Sequence, residues 1–301
     1  MGASEQHTIK ECVDLFGVGL HSGVDARLRL RPAPAGHGVV FKRCDPLNGS
    51  SDAPFVEAAP ANVVETRLGT TIANERGVTV STTEHLMAAL ALCGVDNVLA
   101  ELTGPEVPIL DGSAEKFVEA IGYAGLCAQN APRRSVHISE SVSLEDGPCA
   151  IYAAPCDHFR LDIEIDFDDC FIGRQSLTVR IDDEGDRRRL AASRTFCRLR
   201  DVEMMRSAGL IRGGSLENSI VVDGDRLLNG EALRDPEEFA LHKALDLIGD
   251  FYLLGAPLTG HIRAVRPGHD LNTRFARLLA EDAGDVAAPS RAAAQAVAAT
   301  A

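Results

Sequence analysis

Apolar and basic residues alternate along DARLRLRPAP (25–34), the period-two pattern of a half-exposed strand. GVVFKR (38–43) reads as a second strand, and the turn-rich DPLNGSSDAP (45–54) as a loop or small insertion. GVTVSTTEHLMAALALCG (77–94) passes from strand into helix, with Ser81, Thr82 or Thr83 as the N-cap. NVLAEL (97–102) is a strand, and GPEVPILDGSA (104–114) is a rigid loop punctuated by Pro105 and Pro108. AEKFVEAIGYAG (114–125) is a helix closed by glycine. CAQNAPRR (127–134) is polar, contains Pro132 and reads as a linker.

The pattern then turns strand-rich: SVHISESVSLE (135–145), CAIYAAP (149–155), FRLDIEIDF (159–167) and SLTVRI (176–181). RDVEMMRSAGL (200–210) is a short helix and SIVVD (219–223) a strand. EFALHKALDLIGDFYLLG (238–255) is a long helix, LTGHIRAV (258–265) a strand, RPGHD (266–270) a loop and LNTRFARLLAE (271–281) the final helix. Each half thus closes with a helix, a strand, a short glycine-containing loop and a helix, and the first helix of each carries a histidine. This rhyme predicts two similar α/β domains packed against each other, with room between them for a site fed by both.

The length of 301 residues accommodates two such domains. The 45% hydrophobic and 25% charged residues are those of an ordinary globular protein. The formal net charge of −14 argues against a general nucleic-acid binder, which needs a basic face. It leaves room for a phosphorylated substrate held by local cations. The eight cysteines form no CxxC pair, so they are expected to be reduced, cytosolic and mostly buried thiols. The first residues, MGASEQHTIKECVDLFG, lack a signal peptide's basic start and long apolar run. The longest apolar run, 86–95, is about half a membrane span and reads as a buried helix. The closing VAAPSRAAAQAVAATA is alanine-rich and reads as a tail.

Three short segments carry candidate chemistry. In HKALDLIGD (242–250), His242, Asp246 and Asp250 are spaced four apart, which puts them on one helix face. His242 and Asp246 can clip a metal, and such a pair also serves simply to stabilise an exposed helix. In STTEHL (81–86), Glu84 and His85 stand at a strand-to-helix turn, where adjacent side chains can reach one pocket. Two histidines and an aspartate suit Zn²⁺ with a fourth position left for water, and Glu84 beside them can take that water's proton. His269, on a loop after a strand, can protonate a leaving amine, and Asp250 can hold it charged.

Together these segments resemble the zinc-dependent UDP-3-O-acyl-N-acetylglucosamine deacetylases, which catalyse the committed step of lipid A biosynthesis in Gram-negative bacteria. The resemblance runs from TIKECVDLFGVGLHSG (8–23) to about Glu281 and includes STTEHL, PEVPILDGSA, SRTF (193–196), GGSLENSIVVD (213–223), HKALDLIGD and GHDLN (268–272). It implies an α+β fold of two similar βα-sandwich domains packed against each other, each with a small insertion, and an active site between them. The domains would span 1–126 and 135–285, joined by a linker at 127–134 and followed by a tail at 286–301. The insertions would lie at about 45–66 and 197–223, the second forming a passage for the acyl chain.

The resemblance also implies roles. His85, His242 and Asp246 match the metal ligands, Glu84 the general base, His269 the protonated histidine and Asp250 its carboxylate partner. Thr195 matches a hydroxyl that holds the oxyanion, and Lys243 a cation beside the substrate and active site. Phe196, Arg266, His21, Met204 and Leu210 are expected to contact substrate. The cofactor would be one Zn²⁺ per chain, with Fe²⁺ as the alternative metal. The partner would be a UDP-linked acylated glucosamine, with no nucleic acid and no transmembrane segment, acted on by a cytoplasmic monomer. The chain departs from the family pattern at Asp169–Cys170, where the family often has His-Pro, and at Cys197–Arg198 after the TF of SRTF. These departures leave the metal chemistry intact and motivate another acylated sugar nucleotide as the alternative substrate.

Overall fold

The structure is a computed structural model that describes residues 5–45, 54–167 and 170–282. Asp169, most of the turn-rich 45–54 segment and the alanine-rich tail lie outside the described residues. The first half runs β1 (Glu5–Ile9), β2 (Val13–Val18), β3 (Asp25–Pro32), β4 (Val39–Arg43), β5 (Phe55–Glu57), β6 (Val63–Glu65), β7 (Thr71–Ala73), β8 (Thr79–Val80), α1 (Glu84–Cys93), β9 (Val98–Leu102), α2 (Glu115–Ala124) and β10 (Leu126–Pro132). The second runs β11 (Val136–His137), β12 (Val142–Asp146), β13 (Cys149–Ala154), β14 (Phe159–Phe167), β15 (Gly173–Arg180), α3 (Glu184–Ala192), β16 (Phe196–Arg198), α4 (Leu199–Ser207), β17 (Ile220–Asp223), β18 (Arg226–Leu227), α5 (Glu238–Tyr252), β19 (Leu258–Val265) and α6 (His269–Asp282).

The alternation seen in sequence becomes two main sheets of the same design. One has the order β2-β3-β9-β4-β5 and the other β12-β13-β19-β14-β15, with β11 also on β19. In each, the strand after the first long helix (β9 or β19) sits at the centre, antiparallel to one neighbour and parallel to the other. The α+β fold and its internal repeat are thereby explicit. In β3 the leucines face the core and the arginines face out, and in β14 Leu161, Ile163 and Ile165 turn inward. Two three-stranded sheets, β6-β7-β8 and β16-β17-β18, flank the pair.

Three local readings differ from the sequence expectation, and one helix lies where the pattern predicts no element. Residues 127–132, read as a linker, belong to β10, which pairs antiparallel with β1 at the chain's start. The polar EGDRRRLAA forms α3, capped by the Asp183 side chain accepting from the Asp186 N–H. His269 is the first residue of α6 and does not lie in a loop before it. None of the eight cysteines is fully buried; all are free thiols, several at strand ends and turns, where packing excludes less water.

Helices α1 and α5 form the centre of the molecule. Eight residues of α1 and all but Lys243 of α5 are buried. A helix covered on every side lies inside a core, not on its surface. One continuous hydrophobic cluster includes Leu86 and Leu90 of α1, Leu245 and Phe251 of α5, and strands from both main sheets. The two helices meet at Gly249, where an added Cβ would fall onto the Glu84 carbonyl oxygen and lie 2.9 Å from its carbon and 3.2 Å from the Ala88 nitrogen. Those atoms belong to helix backbone and cannot swing aside. Tyr252 reinforces the contact by donating its hydroxyl to the Val95 carbonyl at 2.8 Å.

Alanine at position 249 gains up to about 1 kcal/mol of helix propensity but overpacks this crossing, which costs about 1–3 kcal/mol or more. Gly249→Ala is therefore expected to lower the urea unfolding midpoint; an equal or higher midpoint would show that the helices separate without cost.

Candidate active site

The close crossing sets the start of α1 against the middle of α5. Thr83 occupies the N-cap position of α1, yet no side chain caps the helix. The hydroxyls expected to cap are used elsewhere: Thr83 donates to the Thr70 carbonyl at 3.2 Å, and Thr82 to Glu106 Oε1 at 2.7 Å. Thr82 adopts a left-handed conformation, with φ 56°. This turn delivers Glu84 and His85 side by side into the space facing α5.

There His85 meets His242 and Asp246, three buried residues whose ligand atoms all lie within 4.8 Å of one another. Asp246 Oδ1 is 3.6 Å from His85 Nε2 and 3.4 Å from His242 Nε2. Two donors held tetrahedrally by one zinc stand roughly 3.3 Å apart, from bond lengths of about 2.0–2.1 Å. The His242 Nδ1–H donates to the Ser193 carbonyl at 3.1 Å, leaving Nε2 with a free lone pair. Asp246 Oδ1 is buried and has no hydrogen-bond partner among the described residues. A buried, charged, unpartnered oxygen is costly unless a cation completes it. The donor set and this oxygen both fit a divalent metal.

The environment pushes these groups apart. Burial, with His85 and Lys243 nearby, lowers His242 to about 3, so it stays neutral as a ligand must. Burial works against the Asp246 charge, but the Lys243 ammonium holds it well below the usual carboxylate range. Lys243 reaches Asp246 Oδ2 at 2.9 Å, and the surrounding carboxylates raise it despite its own burial. Glu84 is raised, chiefly by burial, which His269 and His85 partly offset. A carboxylate raised towards neutrality is a better proton acceptor.

His269 faces the same point from α6. Its Nδ1 lies 2.9 Å from Asp250 Oδ2 and its Nε2 3.9 Å from Asp246 Oδ2. Burial alone would lower it, but Asp250, Asp246 and Glu84 raise it to about 9. Asp250 also accepts from the Asn272 amide at 2.9 Å and from the Thr70 hydroxyl at 2.6 Å.

These residues adjoin a cavity of about 910 Å³. Glu84, His85, Thr195, Lys243 and His269 all line it, as do Phe196, His21, Arg266 and Met204. Thr195 is held on both sides, its N–H donating to Gly112 and its carbonyl accepting from Ile220. Phe196 packs edge-on against Phe239 and His242. Arg266 pairs with Asp166, and Met204 is 66% exposed at the cavity edge. His21 Nε2 meets the Leu68 carbonyl at 3.0 Å. Leu210 is the exception: it is half-buried and does not line the cavity, because the chain turns through a left-handed residue at Ile211, which does. Both described departures from the family pattern near SRTF, Cys197 and Arg198, also line the cavity.

Several residues at the site were not singled out in the sequence, although two lie in segments that carry the resemblance. Glu106 is buried and accepts from the backbone N–H groups of His21 and Ser22 as well as from Thr82. Arg194 makes a forked pair with the fully buried Glu238 at 2.8 and 3.1 Å, fixing the segment that bears Ser193 and Thr195 to the start of α5. Thr70 is wholly buried between Glu84 and Asp250.

The chain is similar to known proteins over nearly its whole length. The family model described as UDP-3-O-acyl N-acetylglycosamine deacetylase matches residues 6–281. A UDP-3-O-acyl-N-acetylglucosamine deacetylase of Phenylobacterium zucineum is 47% identical over 275 residues, covering 91% of this chain and 93% of that protein. The namesake from Myxococcus xanthus is 47% identical, covering 92% and 87%, and that from Vibrio parahaemolyticus 44%, covering 92% and 90%.

A pH dependence follows from His269. Its folded value of about 9 exceeds the ordinary 6.5, so the stability it contributes is complete below pH 6.5 and lost as the pH rises through about 9. In the metal-free protein, the unfolding free energy is expected to fall across that window, and Asp250→Asn to flatten the fall. An equally steep fall in the variant would remove Asp250 as the cause.

Proposed function

The chain belongs to the UDP-3-O-acyl N-acetylglycosamine deacetylase family, and from that premise we propose how its residues share the reaction. The protein is a deacetylase of lipid A biosynthesis: it hydrolyses the 2-acetamido group of UDP-3-O-(3-hydroxyacyl)-N-acetylglucosamine to acetate and a free amine. The observation that carries the division of labour is the convergence of a raised carboxylate, the buried His85–His242–Asp246 cluster and a charged histidine on one large cavity.

His85, His242 and Asp246 hold the metal, Zn²⁺ in our reading, with Fe²⁺ as the alternative. When bound, the ion supplies Lewis acidity to the acetamido carbonyl and lowers the pKa of water. Glu84 accepts the proton of the attacking water. Thr195 donates its hydroxyl to the oxyanion as the carbonyl carbon becomes tetrahedral. His269, held charged by Asp250, gives its proton to the departing nitrogen. Lys243 keeps Asp246 anionic and adds positive charge facing the substrate.

Phe196, Met204 and His21 border the space we assign to the acyl chain and sugar, and Arg266 supplies a cation for the diphosphate. The presence of Cys197 and Arg198 in the lining favours one alternative, another acylated sugar nucleotide as the preferred substrate. The repeat of strand order supports a division into domains at 1–126 and 135–285. No helix among the described residues is long and apolar enough to cross a membrane, and we propose a cytoplasmic monomer.

The test is acetate release from the acylated UDP-sugar, with chelation and zinc restoration, beside the non-acylated UDP-sugar. Chelator-sensitive release that prefers the acylated compound is expected. Glu84→Ala should retain metal and lose at least about a hundredfold in kcat. Turnover that survives complete metal removal would sink the metal assignment, and a near-normal Glu84→Ala rate would sink the base.

A further inference from the structure

Thr70, just before β7, touches both ends of the proton path. Its backbone N–H donates to Glu84 Oε2 at 2.9 Å. Its hydroxyl donates to Asp250 Oδ1 at 2.6 Å and lies 3.3 Å from His269 Nδ1. Its carbonyl accepts from the Thr83 N–H and the Thr83 hydroxyl, each at 3.2 Å, so the residue is tied to the turn that carries Glu84. No part of it is exposed, and it does not line the cavity.

We propose that Thr70 is a positioning residue that aligns the general base and the general acid together. The inference rests on the assignment of those roles to Glu84 and His269. Its argument is geometric. A carboxylate can rotate about its last bond, and the N–H bond to Oε2 fixes that rotation. The other oxygen, Oε1, lies beside Gly69, where an added Cβ would approach to 3.1 Å, so the missing side chain leaves it uncrowded. On the acid side, Asp250 Oδ2 takes His269 Nδ1 and the Asn272 amide, while Oδ1 takes Thr70. With both oxygens engaged, the carboxylate plane is set, and with it the imidazole plane that aims Nε2 at the substrate nitrogen.

Threonine suits this task better than serine. Its β-branch restricts χ1, so the hydroxyl is held towards Asp250 before substrate arrives. The backbone N–H and the hydroxyl belong to one residue, so base and acid cannot be displaced independently. They come from α1 and α6, which are far apart in sequence, and Thr70 sits on neither.

The experiment compares the metal-loaded wild type with Thr70→Val, Thr70→Ser, Asp250→Asn and the Val/Asn double variant. Valine keeps the shape and the N–H but loses the hydroxyl. Thr70→Val is expected to lose roughly ten- to a hundredfold in kcat, the scale of one hydrogen bond to a charged group, with KM and metal content nearly unchanged. Thr70→Ser should recover most of that loss. In the Asp250→Asn background the same valine should cost less than about threefold, because the hydroxyl's target is altered.

A second readout needs no turnover: the imidazole Nδ1–H proton of His269 in the NMR spectrum. Its exchange with water should quicken at least roughly tenfold in Thr70→Val and return close to the wild-type rate in Thr70→Ser. Unchanged exchange in Thr70→Val overturns the proposal. So does a serine variant as impaired as the valine, or a valine loss undiminished by Asp250→Asn. If wild type releases no acetate, the assigned reaction fails, while the imidazole exchange still decides whether Thr70 orders the pair.

Discussion

The approach of α1 to α5 at Gly249 is the constraint on which the site depends. His85 stands on one helix and His242 and Asp246 on the other, more than 150 residues later in the chain. They can share one metal only if the backbones meet without a side chain between them, and Gly249 against the Glu84 carbonyl provides that contact. The contact also lies at Glu84, the residue to which we assign the base. Packing and chemistry therefore use the same few atoms. A small separation of the helices would widen the ligand triangle and shift Glu84 relative to it.

Placing charged groups between two buried helices is costly unless each finds a partner. Asp246 has Lys243 on one oxygen, and its other oxygen, without a hydrogen-bond partner among the described residues, is the one we assign to the metal. Asp250 is saturated by His269, Asn272 and Thr70. Similar residue types thus acquire opposite characters from their neighbours. Glu84, with burial as its main influence, moves towards the neutral form, while Asp246, beside a lysine, stays anionic. His242 is kept neutral chiefly by burial, against the pull of Asp246, whereas His269, also buried, is kept charged by Asp250, Asp246 and Glu84. Paired groups pushed in opposite directions are what acid–base chemistry at one pH requires.

Much of this was legible in the chain. The i, i+4 stripe of α5 survives intact, because its spacing is a property of the helix itself. The alternating strands β3 and β14 and the repeated helix–strand–helix endings were visible for the same reason: each is set by local periodicity. What escaped was set by distant partners. The segment 127–132 is polar because β10 lies in a small two-stranded sheet with β1, and nothing within it announces that pairing. Thr82 and Thr83 look like caps, but Glu106 and Thr70 claim their hydroxyls. Leu210 looks like a lining residue, but a left-handed turn presents Ile211 instead. Thr70 and Arg194 act through single long-range hydrogen bonds, which leave no pattern in the surrounding sequence.

Glu106 extends the logic of the site to its rim. Its carboxylate accepts from the N–H groups of His21 and Ser22 and from the Thr82 hydroxyl, so it joins the GLHSG loop to the turn that delivers Glu84. A Cβ at Gly19 would collide with that carboxylate, and one at Gly213 would fall onto the Gly19 carbonyl. The loop is therefore pressed between Glu106 on one side and the 212–214 segment on the other. The second segment follows α4, which borders the cavity from the second half of the chain. Close backbone approach again joins the two halves, at the rim as in the core. A buried carboxylate that serves three donors is stiff, since moving it would strand all three at once. The turn that carries Glu84 and the loop that carries His21, both of which line the cavity, consequently share one anchor, and their spacing is set by the protein itself.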